Sequence, residues 1–345
     1  QAIARPSDAA PTPNDPFWNQ QWGFAAYGDD TFISPYDHSS LGREVTGTNL
    51  LPALGATRGS APVVAVIDTG ITNHPDLGGR VLPGYNFISN PATAGNATGR
   101  GPDATDTGDW VTPQMAASLP FSLIGCLGVR RSNWHGTHVA GTIASVTDNG
   151  LGGAGTLPVQ IQPIRVLGHC GGTVGDVAAG MIWAAGGTVP GVPDNPTPAR
   201  VVNLSLGWQG ECPQYIQEAI NFGRSKGTVF VTSAGNSNAD AANYAPANCA
   251  GVITATATDT IGGRALFSNY GSTVDVAAPG VEVVSTFNDG ATTPSTPGYA
   301  VMSGTSMSAA HVSGALAMLL ATAPALSPDQ IETRLKSSAT PFKQA

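Results

Sequence analysis

Three polar segments of this 345-residue chain carry residue types that could make and break covalent bonds. Asp68 closes the apolar run Val63–Asp68 (Val-Val-Ala-Val-Ile-Asp) and precedes Thr69-Gly70. A carboxylate there could cap a turn, or it could orient a base. Asp-Thr-Gly is also used by aspartic peptidases, which are β-rich. The second segment is His135-Gly136-Thr137-His138-Val139-Ala140-Gly141-Thr142. Two histidines three apart could share a helix face and bind a metal, but the His-Glu-x-x-His of a zinc peptidase is missing. His135, at the helix start, is the natural general base, and His138 reads as a structural core histidine. The third is Ser303-Gly304-Thr305-Ser306-Met307-Ser308-Ala309-Ala310-His311, leading into an apolar helix. Ser306 could be an ordinary helix cap. It also sits where the helix dipole favours developing negative charge, as an acyl-transfer nucleophile needs. A serine nucleophile requires a base, and the base an orienting carboxylate. Ser306, His135 and Asp68 supply the three roles.

Groups of this kind must be positioned by regular elements. Continuous apolar runs at Val63–Asp68, 160–167, 201–206, 228–233, 252–257 and 274–277 read as strands buried on both faces. Helical stretches at 136–146, 175–185, 212–226 and 306–323 alternate with them. The alternation predicts a single-domain α/β fold: a doubly wound parallel sheet with helices on both faces. Such sheets place function at the carboxyl ends of their strands, where Asp68 falls. Residues 1–22, rich in Pro, Asn, Gln and Trp, read as an extended N-terminal arm laid over the surface, and 23–345 as the domain. Residues 88–134 are a polar, Gly- and Asp-rich insertion.

Asp-Thr-Gly, His-Gly-Thr-His-Val-Ala-Gly-Thr and Gly-Thr-Ser-Met-Ser, in that order, resemble the subtilisin-like serine peptidases (subtilases) over roughly residues 12–340. The resemblance implies a subtilisin-like fold and an endopeptidase with an acyl-enzyme on Ser306. Thr232-Ser233-Ala234-Gly235-Asn236 is similar to the family's oxyanion segment, which makes Asn236 the side-chain donor beside the Ser306 N–H. Asn203-Leu204-Ser205-Leu206-Gly207 and Gly171-Gly172-Thr173 resemble the two edges that pair with an extended peptide or protein substrate. Reading backbone along several residues implies broad specificity. One position departs from the family: the proline expected four residues after the nucleophile is Ala310. That leaves a peptide ligase or transacylase, or an impaired variant, as the alternative activity. A binding protein that has lost turnover is disfavoured, since the whole set of residues is intact.

Asp103, Asp106 and Asp109 are carboxylates at three-residue spacing, and would repel unless solvated or neutralised. Their hard oxygens suit Ca²⁺. Asp76 and Asp148 resemble parts of the subtilase calcium site, so Ca²⁺ is the implied cofactor. Four cysteines without Cys-x-x-Cys spacing suit two disulfides in an exported protein. Cys126 and Cys170 approach the same rim of the implied site, which pairs them and leaves Cys212 with Cys249. Charged residues make only 11% of the chain and the net charge is −8, which disfavours nucleic acid as partner. No apolar run approaches the ~18–20 residues that span a bilayer. The chain opens at Gln1 without a basic and apolar leader, so any leader or pro-segment is expected to have been removed or to lie outside this sequence. Together these readings predict a secreted, monomeric, calcium-stabilised serine endopeptidase.

Overall fold

The run Val63–Asp68 is the pivot of a seven-stranded, wholly parallel sheet. From edge to edge the order is Tyr85–Asn86, Gln160–Arg165, Val63–Asp68, Val201–Leu204, Val229–Ser233, Val252–Thr258 and Val276–Pro279. The computed structural model describes residues 12–26, 29–42, 45–50, 60–118, 128–156 and 159–340. The chain winds from the pivot to one edge, returns, and then winds to the other, so the strand order reverses beside Asp68. Crevices at such a reversal are where open α/β sheets bind ligands.

The strands alternate between two cores. Ala65, Ile67, Val202, Leu204 and Phe230 face the helices Val174–Ala184 and Gln214–Ser225. Val64, Val66, Val201, Val229, Val231 and Ile253 face the helices His135–Ala144 and Thr305–Thr322. Each fully buried aliphatic side chain is worth roughly 1.5–3 kcal/mol. Small residues on the second pair of helices let them approach closely. A Cβ at Gly141 would collide with Thr286 and Ser285.

The predicted strands and helices appear with their ends moved by at most two residues, and Val63–Asp68 not at all. The hairpin Val283–Asn288/Pro297–Met302 and the helix Pro328–Ser338 were not anticipated. The described part of the N-terminal segment departs from an extended surface arm. It coils into two 3₁₀ turns, Trp18–Gln20 and Trp22–Phe24. Trp18 and Trp22 are buried with Phe24, Phe32, Val45, Ala154 and Met318, so an expected boundary after residue 22 cuts through a turn. Buried aromatic surface holds this segment to the domain, together with hydrogen bonds such as Phe17 N to Gly152 O at 2.7 Å and Trp22 Nε1 to Val281 O at 2.9 Å.

Candidate active site

Asp68 ends its strand with a wholly buried carboxylate. Both of its oxygens lie 2.8 Å from His135 Nδ1, and Oδ1 also accepts from Thr69 N at 2.7 Å. His135 opens its helix after Trp134, whose φ of 49° turns the chain sharply. Asn133 Oδ1 accepts from His135 N at 2.9 Å, and Thr69 Oγ1 from Gly136 N at 3.0 Å. Gly136 is required, because a Cβ would collide with Gly70 O. Burial works against a charged His135, but the charge and hydrogen bond of Asp68, helped by Asp109 and Asp106, outweigh it and raise the pKa.

Ser306 is the second residue of the helix Thr305–Thr322, which packs against the His135 helix. Its N–H belongs to the first turn and has no intrahelical acceptor. Ser306 Oγ donates to Ser205 O at 3.2 Å, and Ser205 Oγ donates to Ser306 O at 2.8 Å. Catalytic hydrogen bonds are often loose until substrate is bound. Asn236 follows the strand Val229–Ser233. Its Oδ1 accepts from both Thr305 N and Thr305 Oγ1 at 2.9 Å, which turns Nδ2 outward.

Residues 205–207 and 233–235 leave the carboxyl ends of adjacent strands, and Gly171, Gly172 and Thr173 follow the strand on the far side of Asp68. Gly171 pairs with Gly168, while Thr173 Oγ1 caps the helix Val174–Ala184 by accepting from Asp176 N at 3.1 Å. The candidate groups thus line one end of four neighbouring strands. His138 stands apart. Its Nε2 faces Val283 O and Ala300 O at 3.1 Å, and burial lowers its pKa to about 3, as befits a neutral core histidine.

The model of the "Subtilase family" matches residues 59–345. This chain belongs to the subtilase family. It is 44% identical over 331 residues to an extracellular protease of Xanthomonas campestris pv. campestris, covering 95% of this chain and 53% of that protein. An extracellular basic protease of Dichelobacter nodosus is 42% identical over 90% of this chain and 48% of its own length. The subtilase chain therefore spans about half the length of these relatives. A solved protease from Pseudoalteromonas arctica PAMC 21717 superposes with a TM-score of 0.86 at 45% identity, over 96% of this chain and 94% of that one. The fold is subtilisin-like.

The subtilase's acidic residues do not gather as their spacing suggested. Asp103 accepts from Thr105 N at 2.9 Å, in a local turn. Asp106 accepts from Thr69 Oγ1 and Gly108 N, and Asp109 pairs with Arg130 at 2.9 Å. Arg165, buried beneath them, supplies further positive charge. Asp106 opens a second Asp-Thr-Gly, yet it forms no carboxyl dyad with Asp68, whose oxygens are turned to His135. Asp148 Oδ1 accepts from Asn14 N rather than facing Asp76. Asp76 is wholly buried, with Asn149 Nδ2 at 2.9 Å and Gly153 N at 3.3 Å on its oxygens. Among the described residues no three acidic, His or Cys side chains form a cluster suited to a metal.

Sequence reasoning missed Asp15, a buried acid that accepts from Asp148 N and Asn149 N. It also missed Thr69 and Thr305, each adjacent to a candidate catalytic residue and each a hydrogen-bonding β-branched side chain. Cys212 and Cys249 are joined by a disulfide. Cys170 is disulfide-bonded, and its expected partner Cys126 lies outside the described residues.

Proposed function

We propose that this subtilase is a secreted serine endopeptidase of broad specificity, working through an acyl-enzyme on Ser306. The observation that carries this reading is the buried Asp68 carboxylate held against His135 Nδ1, at the sheet end where Ser306 Oγ meets Ser205 O and Asn236 meets Thr305. Asp68 fixes the tautomer that leaves Nε2 as the base. Ser306 Oγ attacks the scissile carbonyl carbon while its proton passes to His135 Nε2. The oxygen that becomes negative accepts from Ser306 N–H and Asn236 Nδ2. Collapse breaks the C–N bond, and His135 returns the proton to the leaving amine. Water then attacks the ester by the same route in reverse, regenerating the Ser306 hydroxyl.

Substrate pairs as an extended strand with the edges at 171–173 and 205–207, so main chain rather than side chain sets most of the affinity. The relatives' names as extracellular proteases support secretion. Among the described residues no helix is long and apolar enough to cross a membrane.

Subtilases commonly bind calcium. In this chain the Asp103–Asp109 loop does not fit an ion, because Arg130 pairs with Asp109 and the charge of Arg165 already acts on Asp103 and Asp106. Asp15 and Asp76 fit better. Both are buried oxygen ligands, and burial, with a smaller push from the Asp15 charge, raises Asp76 to about 6. With Asn149 they would hold a Ca²⁺ that neutralises the pair and ties the N-terminal turns to the loop after the His135 helix. Its contribution there is structural.

Labelling with a fluorophosphonate, followed by casein digestion, tests the activity. Label on Ser306 with cleavage that is lost in Ser306→Ala and His135→Ala is the expected result. Label without cleavage would mean a transacylase, and no label would overturn the reading.

A further inference from the structure

Asn269 is wholly buried beside the loop that carries Asn236. Its main-chain N–H donates to Gly235 O at 2.9 Å. Its side-chain Nδ2 donates to Ala234 O at 2.9 Å, while Oδ1 accepts from Ser237 N at 2.9 Å and Ala239 N at 3.0 Å. One residue therefore bonds to the chain on both sides of Asn236, through Ala234, Gly235, Ser237 and Ala239. Oδ1 uses both of its lone pairs, so an amide of this length and orientation is specified. Gly235 has a φ of 102°, and a Cβ on it would collide with Asn269 Nδ2. The loop and the amide are built to each other's shape.

The loop ends in a side chain whose orientation is itself set: Thr305 N and Oγ1 hold Asn236 Oδ1. Thr305 fixes which way the amide faces. Thr305 Oγ1 also accepts from Gly235 N at 3.1 Å and so holds the main chain on one side of Asn236. Asn269 holds it on both sides, through Ala234 and Gly235 before it and Ser237 and Ala239 after it.

We infer that Asn269 is a positioning residue for the oxyanion donor, acting only through the placement of Asn236. The inference rests on the reading of Asn236 as that donor. Misplacing a reacting group by ~1 Å costs on the order of 10² in rate, and losing an oxyanion donor costs about 10²–10³ in kcat, a value that comes from subtilisin itself. Asn269→Asp exchanges the donor to Ala234 O for a buried acceptor, and Asn269→Ser shortens the side chain so that it no longer reaches the loop.

The experiment is a double-mutant cycle on the full chain, with kcat and KM read on a peptide substrate and folding checked by near-ultraviolet circular dichroism. Each Asn269 variant is expected to lower kcat about 10–100-fold with KM within about twofold. In an Asn236→Ala background the same substitutions are expected to change kcat less than about twofold. Equal losses in both backgrounds would show a general structural role and overturn the inference. So would unchanged kcat in the single variants, or failure of both to fold where Asn236→Ala folds. If Asn236→Ala alone leaves kcat intact, the donor reading itself has failed, and the inference falls with it. That result is read without any Asn269 variant.

Discussion

Thr69 Oγ1 donates to Asp106 Oδ2 at 2.6 Å while accepting from Gly136 N. One hydroxyl thus joins the residue after Asp68, the second residue of the His135 helix and a fully buried acid. Burial pushes that acid up to about 7, against hydrogen bonds from Thr69 and Gly108 and the charge of Arg165 that pull it down. An unfolded chain returns Asp106 to an ordinary carboxylate value near 3.9. Between those values the folded state holds the extra proton, so this group's contribution falls as pH rises and is fully unfavourable above about 7.

Asp106→Asn removes that pH dependence. The variant is expected to gain on the parent by up to about 1.4 kcal/mol per pH unit from pH 4 to 7, and to hold that gain above pH 7. Melting temperatures of both proteins across pH 4–9 check it. A constant gap would show that Asp106 is ionised throughout.

His135 shifts stability with pH in the same direction as Asp106, over a higher range. Its raised folded pKa favours folding at pH below the ordinary 6.5, an advantage lost as pH climbs through the raised value. Activity needs the neutral ring. The acid limb of kcat/KM is therefore expected at a pH above 6.5, and Asp68→Asn should shift it downward while lowering kcat by about 10⁴. A limb at or below 6.5 in the parent would contradict the geometry.

Chelation is expected to act at Asp15 and Asp76 and not at the Asp103 loop. EDTA should lower the melting temperature of the parent, by mass action on the folded state, and leave Asp76→Asn much less sensitive. Asp103→Asn should respond like the parent. An EDTA effect that survives Asp76→Asn but disappears in Asp103→Asn would relocate the ion.

Ala310 is fully buried, and the helix Thr305–Thr322 runs unbroken through it. Proline there would remove an N–H and crowd Ser306 O, which Ser205 Oγ would still serve. Ala310→Pro is expected to fold, to hydrolyse peptides faster by at most on the order of 10²-fold, and to lower the ratio of ligation to hydrolysis with a peptide ester and added amine. No change in either measurement would mark Ala310 as neutral.

The strands were legible because burial on both faces demands unbroken apolar runs, as in Val63–Asp68. The candidate triad was legible because its residues sit at element ends, next to glycines that permit close approach. Charges read poorly. The spacing of Asp103, Asp106 and Asp109 says nothing about Arg165 and Arg130, which answer them from distant segments. Asp15 was hidden for the same reason, since its partners at 148 and 149 are main-chain groups that composition cannot show. The N-terminal turns were misread because Pro and Asn suggest extension, whereas Trp18 and Trp22 decide the outcome by burying their rings.

The sheet order sets a width. The strands Gln160–Arg165 and Val201–Leu204 flank Val63–Asp68, so the segments leaving them stand two strand spacings apart, about 9–10 Å. Val63–Asp68 stops at Asp68, and beyond it the gap is one strand wide. A helix, at about 10–12 Å with its side chains, is too thick for it, and a hairpin brings one strand too many. A folded protein can enter only where a single segment has already come away from its neighbours. Under the proposed pairing of substrate with these two edges, substrates are selected by their local unfolding before any side chain is read.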